Sequence, residues 1–438
     1  MTAEAVPWES GSDLVTVRGL KVHYPVKLPF LQRMLLRDKA VVHAVDGVDF
    51  ALRPGEIFGL VGESGCGKTT VGRTILRLVE PTEGTVVFEG RDITHLKERR
   101  LEAFRRRAQI VFQDPHAALN PAMSIGRAIG HPLEIHGVTS AGAADTAAPV
   151  QATDHDVAEE QRQAVLEIMR EVGLTPEEQL YEKYPADLSG GQKQRAVIAR
   201  AMILRPKLIV ADEPVAMLDM SIRARVLELM IDLKNRHRLT YLFITHDLAT
   251  AKFVCDRIAI MYLGRIVEMG PAKEIYQHPK HPYTRALLAA IPVPDPTKRA
   301  AKDLPKGEVP DAVYPPAGCR FHPRCAVALS TCGWEGRDVI TYLEERWLDL
   351  VRARAEASVG PVESWSAKGL EARRAGREES PDRLVARVRE VLAGAPRPLL
   401  DAIQDLRAEG GDVVVRFRPP APLAPKDVDG RIVECLLY

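Results

Sequence analysis

Residues 57–78 read IFGLVGESGCGKTTVGRTILRL, an apolar run followed by a glycine-rich loop and a helical run. The loop glycines let consecutive backbone N–H groups converge on phosphate oxygens, and a helix N-terminus adds a favourable dipole. This order of strand, loop and helix identifies a phosphate-binding loop. Its predicted nucleotide-binding residues are Gly62, Glu63, Ser64, Gly65, Cys66, Gly67, Lys68, Thr69 and Thr70.

Polar side chains with defined roles accompany such a loop. Lys68 is expected to place its charge at the β and γ phosphates, and the Thr69 hydroxyl to ligate Mg²⁺. The run LIVADE, residues 208–213, is an apolar strand that ends in two carboxylates. Because ligands of open α/β sheets bind at the carboxyl ends of strands, Asp212 is predicted to hold Mg²⁺ and Glu213 to act as general base. The expected cofactors are therefore ATP and Mg²⁺.

Short apolar runs alternate with helical stretches between about residues 14 and 270, which is typical of an α/β domain. A mostly helical stretch is predicted from about 124 to 204, and within it the small, polar residues 139–156 predict a flexible surface insert. A proline-punctuated linker follows at about 291–316. Buried strands are predicted at Ile57–Val61, Gln109–Phe112, Leu208–Ala211 and Leu242–Thr245.

The last hundred or so residues have a different character. Apolar residues recur at helical spacing between Ile340 and Val351, and again between Leu384 and Leu392 behind a Ser380–Pro381 helix start. Two strands are predicted to close the chain, at Asp412–Phe417 and Arg431–Leu436. We therefore expect a helical insert over 336–410 and a short β segment over 411–438.

Charge and hydropathy limit the classes of function. The chain has 60 Lys and Arg against 59 Asp and Glu, a net charge of +1, which argues against nucleic acid as a partner. The basic run at 99–107 is interleaved with acidic residues and predicts a solvated helix face. No apolar run reaches the roughly 18 residues of a membrane span, and the N-terminus lacks an apolar signal core. We expect a cytoplasmic protein whose partners supply any membrane helices.

The run LSGGQKQR at 188–195 resembles the signature sequence of ABC ATPases, in the expected order before the Asp212–Glu213 strand. A serine and glycines at a helix start form a second anion site. In ABC ATPases this segment binds the γ-phosphate of ATP held by the opposite subunit, so two nucleotide domains close head to tail around two ATP molecules. The resemblance assigns that role here to Ser189, Gly190, Gly191 and Gln192.

Further matches to ABC ATPases follow from the same resemblance. Gln113, in FQDP, resembles the Q-loop glutamine that senses Mg²⁺ and water, and His246, in ITHD, resembles the switch histidine at the γ-phosphate. Asp219 resembles the D-loop aspartate, and Tyr24 the aromatic platform for adenine. The chain departs from the usual D-loop at Ala216, a position where a small hydroxyl residue is common. This difference concerns the support that the D-loop of this subunit gives to the ATP site of the opposite subunit.

Several stretches resemble, more narrowly, the ATP-binding subunits of oligopeptide/dipeptide permeases: AVDGV at 44–48, DPHAALNP at 114–121, HPYTRAL at 281–287 and GCRFHPRC at 318–325. The resemblance implies an ABC-type P-loop domain over 14–290, with a RecA-like core, an antiparallel β subdomain and a helical subdomain at about 114–204. It also implies two membrane-spanning permease subunits, an extracytoplasmic substrate-binding protein and a position at the cytoplasmic face of the membrane. The long segment between Tyr24 and Val42 fits the second ATPase type, which pairs with a non-identical ATPase.

The six cysteines include three within fourteen residues, Cys319, Cys325 and Cys332, in the Cys-containing segment at 291–335. The family tail usually ends with a fourth cysteine in a strand-like context, which Cys435 resembles. Four thiolates suit a [4Fe–4S] cluster or Zn²⁺, and sulfur ligation alone does not choose between them. The resemblance favours the iron–sulfur cluster, and free buried thiols remain the alternative.

Other functions stay open at this level. The imported solute could be a peptide, a nickel chelate or an oligosaccharide, since specificity in importers lies mainly in other subunits. A soluble ABC ATPase with an iron–sulfur regulatory module is the alternative from another class. The chain has one nucleotide domain and no internal repeat, unlike ribosome-acting members, which carry two.

Overall fold

The computed structural model describes residues 13–26, 40–137, 154–291, 305, 307–376 and 380–438. Most of the predicted insert at 139–156 and most of the linker at 291–316 lie outside these residues. The chain divides into two compact units, Met1–Gln277 and His278–Tyr438. The predicted domain end at 290 falls inside the second unit, because Tyr283 is buried there with its ring 5.2 Å from that of Phe321.

An antiparallel sheet in the first unit has the strand order β2-β1-β4-β5. Alternate residues of its long first strand are buried, including Val15, Val17, Leu20 and Val22, so one face of the strand is apolar. The strands are β1 Val15–Pro25, β2 Val41–Leu52, β4 Glu83–Phe88 and β5 Arg91–Asp92.

A mainly parallel sheet in the same unit runs in the order β10-β9-β3-β8-β7-β6. Every residue of β3 and β7 is buried, which accords with sequences that are apolar except at Asp212, the last residue of β7. The four predicted strands are confirmed to within two residues. The observed bounds are β3 Ile57–Val61, β6 Ala108–Val111, β7 Leu208–Asp212, β8 Thr240–Thr245, β9 Arg257–Tyr262 and β10 Arg265–Pro271.

Helices connect and cover these strands, and the predicted helical stretch at 124–204 is confirmed by four of them. The helices are α1 Lys68–Ile75, α2 Glu98–Arg107, α3 Pro115–Ala118, α4 Ile125–His136, α5 Asp154–Glu171, α6 Glu177–Tyr181, α7 Gly190–Met202, α8 Met220–His237, α9 Leu248–Val254 and α10 Ala272–Gln277. The basic run lies on α2, where Arg105 pairs with Glu98 at 2.6 Å, as expected of a solvated face. None of the described helices is long and apolar enough to cross a membrane.

The second unit contains a four-stranded antiparallel sheet in the order β11-β12-β14-β13. Its strands are β11 Trp365–Lys368, β12 Glu371–Arg374, β13 Ile403–Glu409 and β14 Asp412–Phe417, and a hairpin follows with β15 Lys426–Val428 and β16 Arg431–Val433. The helices are α11 Pro282–Ala290, α12 Gly336–Arg346, α13 Leu350–Ala355, α14 Pro381–Leu392 and α15 Arg397–Ala402.

The expectation of a purely helical insert over 336–410 is therefore corrected. Three of its segments are short strands, and two of these, β12 and β13, are rich in charged residues, a composition that hides the strand pattern. These charges pair across the sheet: Arg416 bonds Glu371 and Glu409 at 3.0 and 2.7 Å. The strand predicted at Asp412–Phe417 is confirmed, but it lies inside this sheet.

The helices of the second unit pack on the sheet around a core that contains Trp334, Val339, Leu343, Val388 and Phe417. The predicted helix start at Ser380–Pro381 is confirmed. The apolar stripe predicted to run through Leu350 and Val351 is not, since these side chains are 70% and 79% exposed. The reason is local, because Asp349 Oδ1 accepts from the Val351 backbone and begins a separate helix.

Candidate active site

The glycine-rich loop joins the carboxyl end of β3 to α1, as the sequence predicts. Two of its glycines are required by close approach: a Cβ at Gly62 would lie 2.1 Å from the Met261 carbonyl oxygen, and one at Gly67 would lie 2.1 Å from that of Ala44. Gly67 also has φ +105°, which side-chain-bearing residues rarely adopt. The backbone is thereby fixed between two neighbouring strands, with the α1 N-terminus facing the loop.

Lys68 lies at the centre of this loop and is buried. Its ammonium donates to the carbonyl oxygens of Gly62 and Glu63 at 2.9 and 2.8 Å. Ser64 and Gly65 are exposed at the loop tip, and the Thr70 carbonyl accepts from Thr74 within α1. A cation among converging amides and a helix N-terminus can bind a polyphosphate.

The second motif meets the first through one hydrogen bond, in which Thr69 Oγ1 donates to Asp212 Oδ1 at 2.9 Å. Asp212 ends β7 and is buried, and burial raises the pKa of its carboxyl group, while Thr69 and Arg73 act in the opposite direction. Sequence reasoning missed Arg73, whose charge acts on Asp212; the available signal was its position one turn after Thr69 on α1.

Glu213 follows Asp212 with φ +47°, a conformation that is uncommon for residues other than glycine. Its carboxylate is bonded on both sides: Gln113 Nε2 donates to Oε2 at 3.2 Å, and His246 Nδ1 lies 3.0 Å from Oε1. Its backbone N–H donates to the Ile244 carbonyl of β8, which fixes the turn. The three residues predicted to be catalytic are therefore together at one sheet edge.

The LSGGQ segment forms the exposed N-terminus of α7. Ser189 Oγ accepts from the Gln192 backbone at 3.3 Å, and Gln192 Oε1 accepts from the Ser189 backbone at 3.0 Å, a reciprocal capping box. A Cβ at Gly191 would lie 2.8 Å from Ile222 of α8. Ser189 and Gly190 are exposed, and so is Asp219, the residue immediately before α8, whose side chain makes no capping hydrogen bond. These residues form a second surface, built around α7 and α8.

Tyr24 lies near the end of β1, opposite Val42 of β2. Its side chain is 40% exposed, which leaves an aromatic surface open to a ligand. The segment between Tyr24 and Val42 that suggested a second-type ATPase lies mainly outside the described residues.

In the second unit, four cysteines lie close enough together for the charge of one thiolate to affect the pKa of another: Cys319, Cys325, Cys332 and Cys435. Burial raises the pKa of Cys319 to about 12 and of Cys325 to about 11, and the neighbouring thiols act in the same direction. Three of the sulfurs also accept backbone N–H groups, from Phe321, Val327 and, at 3.2 Å, Leu329. Hydrogen bonds of this kind favour the thiolate form that metals bind.

Two family sequence models match the chain. The model described as ABC transporter matches residues 45–216, and the model described as oligopeptide/dipeptide transporter, C-terminal region, matches residues 267–332. The second match ends at Cys332, so the residues from Gly333 onward lie outside both matches.

Curated relatives match the chain over most of its length. A "Probable peptide ABC transporter ATP-binding protein" of Sinorhizobium fredii is 43% identical over 73% of this chain and 84% of its own. The di/tripeptide transport ATP-binding protein DppF of Pseudomonas aeruginosa is 44% identical over 73% of this chain and 91% of its own. Among solved structures, a dimeric ATP-binding cassette bound to ADP and Pi, MJ0796, covers 59% of this chain and 98% of its own, with 25% identity and a TM-score of 0.48.

Proposed function

The chain belongs to the ATP-binding proteins of ABC transporters, in the oligopeptide/dipeptide group, and on that premise we propose that its ATP hydrolysis energises an importer of dipeptides and oligopeptides. It is an ATPase that uses ATP with Mg²⁺. The observation that carries the mechanism is the arrangement around Glu213, whose two carboxylate oxygens are bonded by Gln113 and His246 beside the Thr69–Asp212 pair.

Within this chain, Lys68 and the backbone of the glycine-rich loop bind the phosphates of ATP. Thr69, Asp212 and Gln113 would hold Mg²⁺, an ion that prefers oxygen ligands and neutralises charge on the β and γ phosphates. Glu213 accepts the proton of the attacking water as general base, and His246 and Gln113 orient its carboxylate. Tyr24 offers its exposed ring to adenine.

A partner ATPase completes each site. The N-terminus of the thirteen-residue helix α7 is formed by Ser189, Gly190, Gly191 and Gln192. Ser189 and Gly190 are exposed at its tip, which suits a γ-phosphate held by another subunit. Asp219 and the exposed Met217 belong to the same surface. The Ala216 departure favours a non-identical partner, since two different subunits can divide the work unequally between their sites.

Two membrane-spanning permease subunits are the remaining direct partners, which places the chain at the cytoplasmic face of the membrane. A groove of about 430 Å³ in the first unit is lined by Phe112, Ala118, Asn120, Ile135 and Arg200. It begins next to Gln113, and Ile135 is 62% exposed in it. A short helix of a permease subunit would bind in this groove and transmit the closing of the two nucleotide domains to the membrane-spanning subunits. An extracytoplasmic binding protein would deliver the peptide.

The cysteine group would hold a [4Fe–4S] cluster, an expectation with which its buried, hydrogen-bonded thiols fit. Sulfurs around one Zn²⁺ ion lie about 3.8 Å apart, given a Zn–S bond of about 2.3 Å. Among the described residues, no three of these sulfurs lie mutually within 4.8 Å. The sulfurs would therefore have to move closer together to bind zinc, and the preference for the iron–sulfur cluster rests on the family resemblance. The cluster would tie the ends of the inserted region together.

Affinity purification of the tagged chain from native membranes tests the transport proposal, followed by reconstitution into vesicles with the chains that accompany it. We expect two permease subunits and a second ATPase, and ATP hydrolysis stimulated by a peptide-loaded binding protein. Stimulation by a nickel chelate or an oligosaccharide alone would replace the peptide assignment. A chain that purifies without membrane partners would favour a soluble ATPase.

Iron, acid-labile sulfide and zinc in protein purified without oxygen test the cluster. We expect iron and sulfide in the unaltered chain, their loss in Cys319→Ser and Cys325→Ser, and their retention in the control Cys255→Ser. Stoichiometric zinc would establish the alternative, and a metal-free protein would overturn both.

A further inference from the structure

Two histidines and a carboxylate form a compact group on the antiparallel sheet of the first unit. His23 of β1 and His43 of β2 are direct cross-strand partners, with ring centroids 4.3 Å apart. Asp46 of β2 lies beside them, its Oδ1 3.2 Å from His23 Nε2. One ligand atom from each residue can be chosen so that all three lie within 4.8 Å of one another.

We propose that His23, His43 and Asp46 bind a divalent transition-metal ion of the zinc type. Two imidazoles and one carboxylate are a common ligand set for such ions. Around a tetrahedral ion with bonds of about 2.05 Å, the ligand atoms lie about 3.4 Å apart. The observed 3.2 Å between His23 and Asp46 already matches one edge of that tetrahedron. The fourth position would be taken by water or another ligand.

The surroundings hold the three side chains in place. The side chains of His23 and Asp46 are 18% and 15% exposed, so the site is shielded yet reachable from solvent. The His23 backbone N–H donates to Thr82 Oγ1 at 2.9 Å, and that of Asp46 donates to the Gly264 carbonyl at 2.9 Å. Rigid strands preorganise metal ligands better than loops do.

The cation Arg265 also faces Asp46 but on the other oxygen, with Nη2 3.9 Å from Oδ2. Oδ1 therefore remains directed at His23, while Arg265 orients the carboxylate. A partner that binds the second oxygen of a ligating carboxylate is a usual feature of metal sites.

The position of the group gives the site its significance. Tyr24 follows His23 in the sequence, and Ala44 follows His43. The carbonyl oxygen of Ala44 is the atom that leaves no room for a side chain at Gly67 of the phosphate loop. A bound ion would join the two strands that carry these residues. The proposed metal ligands are thus next in sequence to Tyr24, the residue proposed to stack on adenine, and to Ala44, which packs against the phosphate loop.

Titration of the metal-stripped full chain with Co²⁺ tests the proposal, because nitrogen and oxygen ligands give weak ligand-field bands whereas cysteine thiolates add intense charge-transfer absorption. In a chain that carries Cys319→Ser and Cys325→Ser, we expect one equivalent with ligand-field bands alone, competed by Zn²⁺, and binding at least tenfold weaker when His23→Gln or His43→Gln is added. In the chain that keeps its cysteines, the same ligand-field bands should appear beside the charge-transfer absorption of any Co²⁺ bound by the thiolates.

His131→Gln is the matched control. His131 also lies 3.2 Å from a carboxylate, that of Glu134, but belongs to no three-residue group within 4.8 Å among the described residues. Circular dichroism would verify that each variant is folded, and Asp46→Asn provides a third variant. Equal Co²⁺ affinity in the unaltered chain and in all three site variants would overturn the proposal, as would charge-transfer absorption alone.

Discussion

Thr69 Oγ1 donates a hydrogen bond to Asp212 Oδ1 at 2.9 Å, although the two residues are 143 positions apart in sequence. The bond joins the first turn of α1 to the end of β7. Both atoms are oxygens of the kind Mg²⁺ prefers, so the pair that links these two elements of the fold is also the pair we propose as metal ligands.

Asp212→Asn keeps an oxygen for Thr69 but removes the negative charge. We expect Mg²⁺-stimulated ATP hydrolysis to fall on the order of 100-fold, while Mg²⁺-free nucleotide binding changes little. A Mg²⁺ titration of steady-state hydrolysis, with nucleotide binding measured in EDTA, gives both quantities. Unchanged Mg²⁺ dependence would contradict the assignment.

Glu213→Gln keeps the size and polarity of the side chain between Gln113 and His246 but removes the proposed general base. We expect turnover to fall roughly 100-fold or more with ATP binding intact. Single-turnover hydrolysis and binding of a fluorescent ATP analogue separate the two effects. Glu228→Gln on the exposed face of α8 is the control. Near-normal hydrolysis by Glu213→Gln would require another base.

Lys68→Ala removes the buried cation of the phosphate loop. Because hydrogen bonds to charged groups contribute about 1.5–3 kcal/mol, nucleotide affinity should fall roughly ten- to hundredfold. Equilibrium binding of an ATP analogue measures this, with Lys97→Ala as the control and Lys68→Arg retaining the charge. Affinity that is unchanged in Lys68→Ala would exclude the predicted phosphate contact.

Ser189→Arg places a bulky side chain at the exposed tip of α7. We expect this chain to bind nucleotide with unchanged affinity, since its own loop is untouched, while hydrolysis by the assembled ATPase pair falls at least tenfold. Loss of the N-cap costs about 1 kcal/mol, which a thermal melt would detect separately. Hydrolysis at the normal rate would show that Ser189 faces no triphosphate.

Glu356→Gln tests the second unit, where Arg346 pairs with Glu356 at 2.6 Å and Trp347 Nε1 donates to the same carboxylate at 2.8 Å. The hydrogen bond from Arg346 lowers the pKa of Glu356 below its ordinary 4.5. The pair therefore stabilises the fold above about pH 4.5 and loses this contribution as pH falls through the lowered pKa.

The variant should unfold about 1–2 kcal/mol more easily at pH 7, and the difference from the unaltered chain should shrink in acid. Calorimetric melts at several pH values measure it, with exposed Glu390→Gln as the control. A difference that is independent of pH would rule out the ion pair as its source.

The active-site motifs were predictable because each is a short continuous sequence with a fixed backbone requirement. Glycine is required at position 67 because φ is left-handed there and because a Cβ would clash with the Ala44 carbonyl oxygen. The glycine in the sequence therefore predicts this backbone geometry. The closeness of His23 and His43 was not predictable, since it depends on the β1–β2 register, which includes an irregularity between Val22 and His23. The β12 and β13 strands were missed because their charged residues do not alternate with apolar ones, and the pairing of Glu371 and Glu409 with Arg416 of β14 depends on the sheet register.

The path of the chain around the cysteines has a consequence for deletions. The Ala421 backbone N–H donates to the Thr331 carbonyl at 3.0 Å, so the polypeptide leaves and returns at one place after some ninety intervening residues. A segment whose two ends lie close together can be inserted or deleted without distorting the rest of the protein. A deletion within this segment that keeps Cys332 would therefore leave two ends that already lie close together.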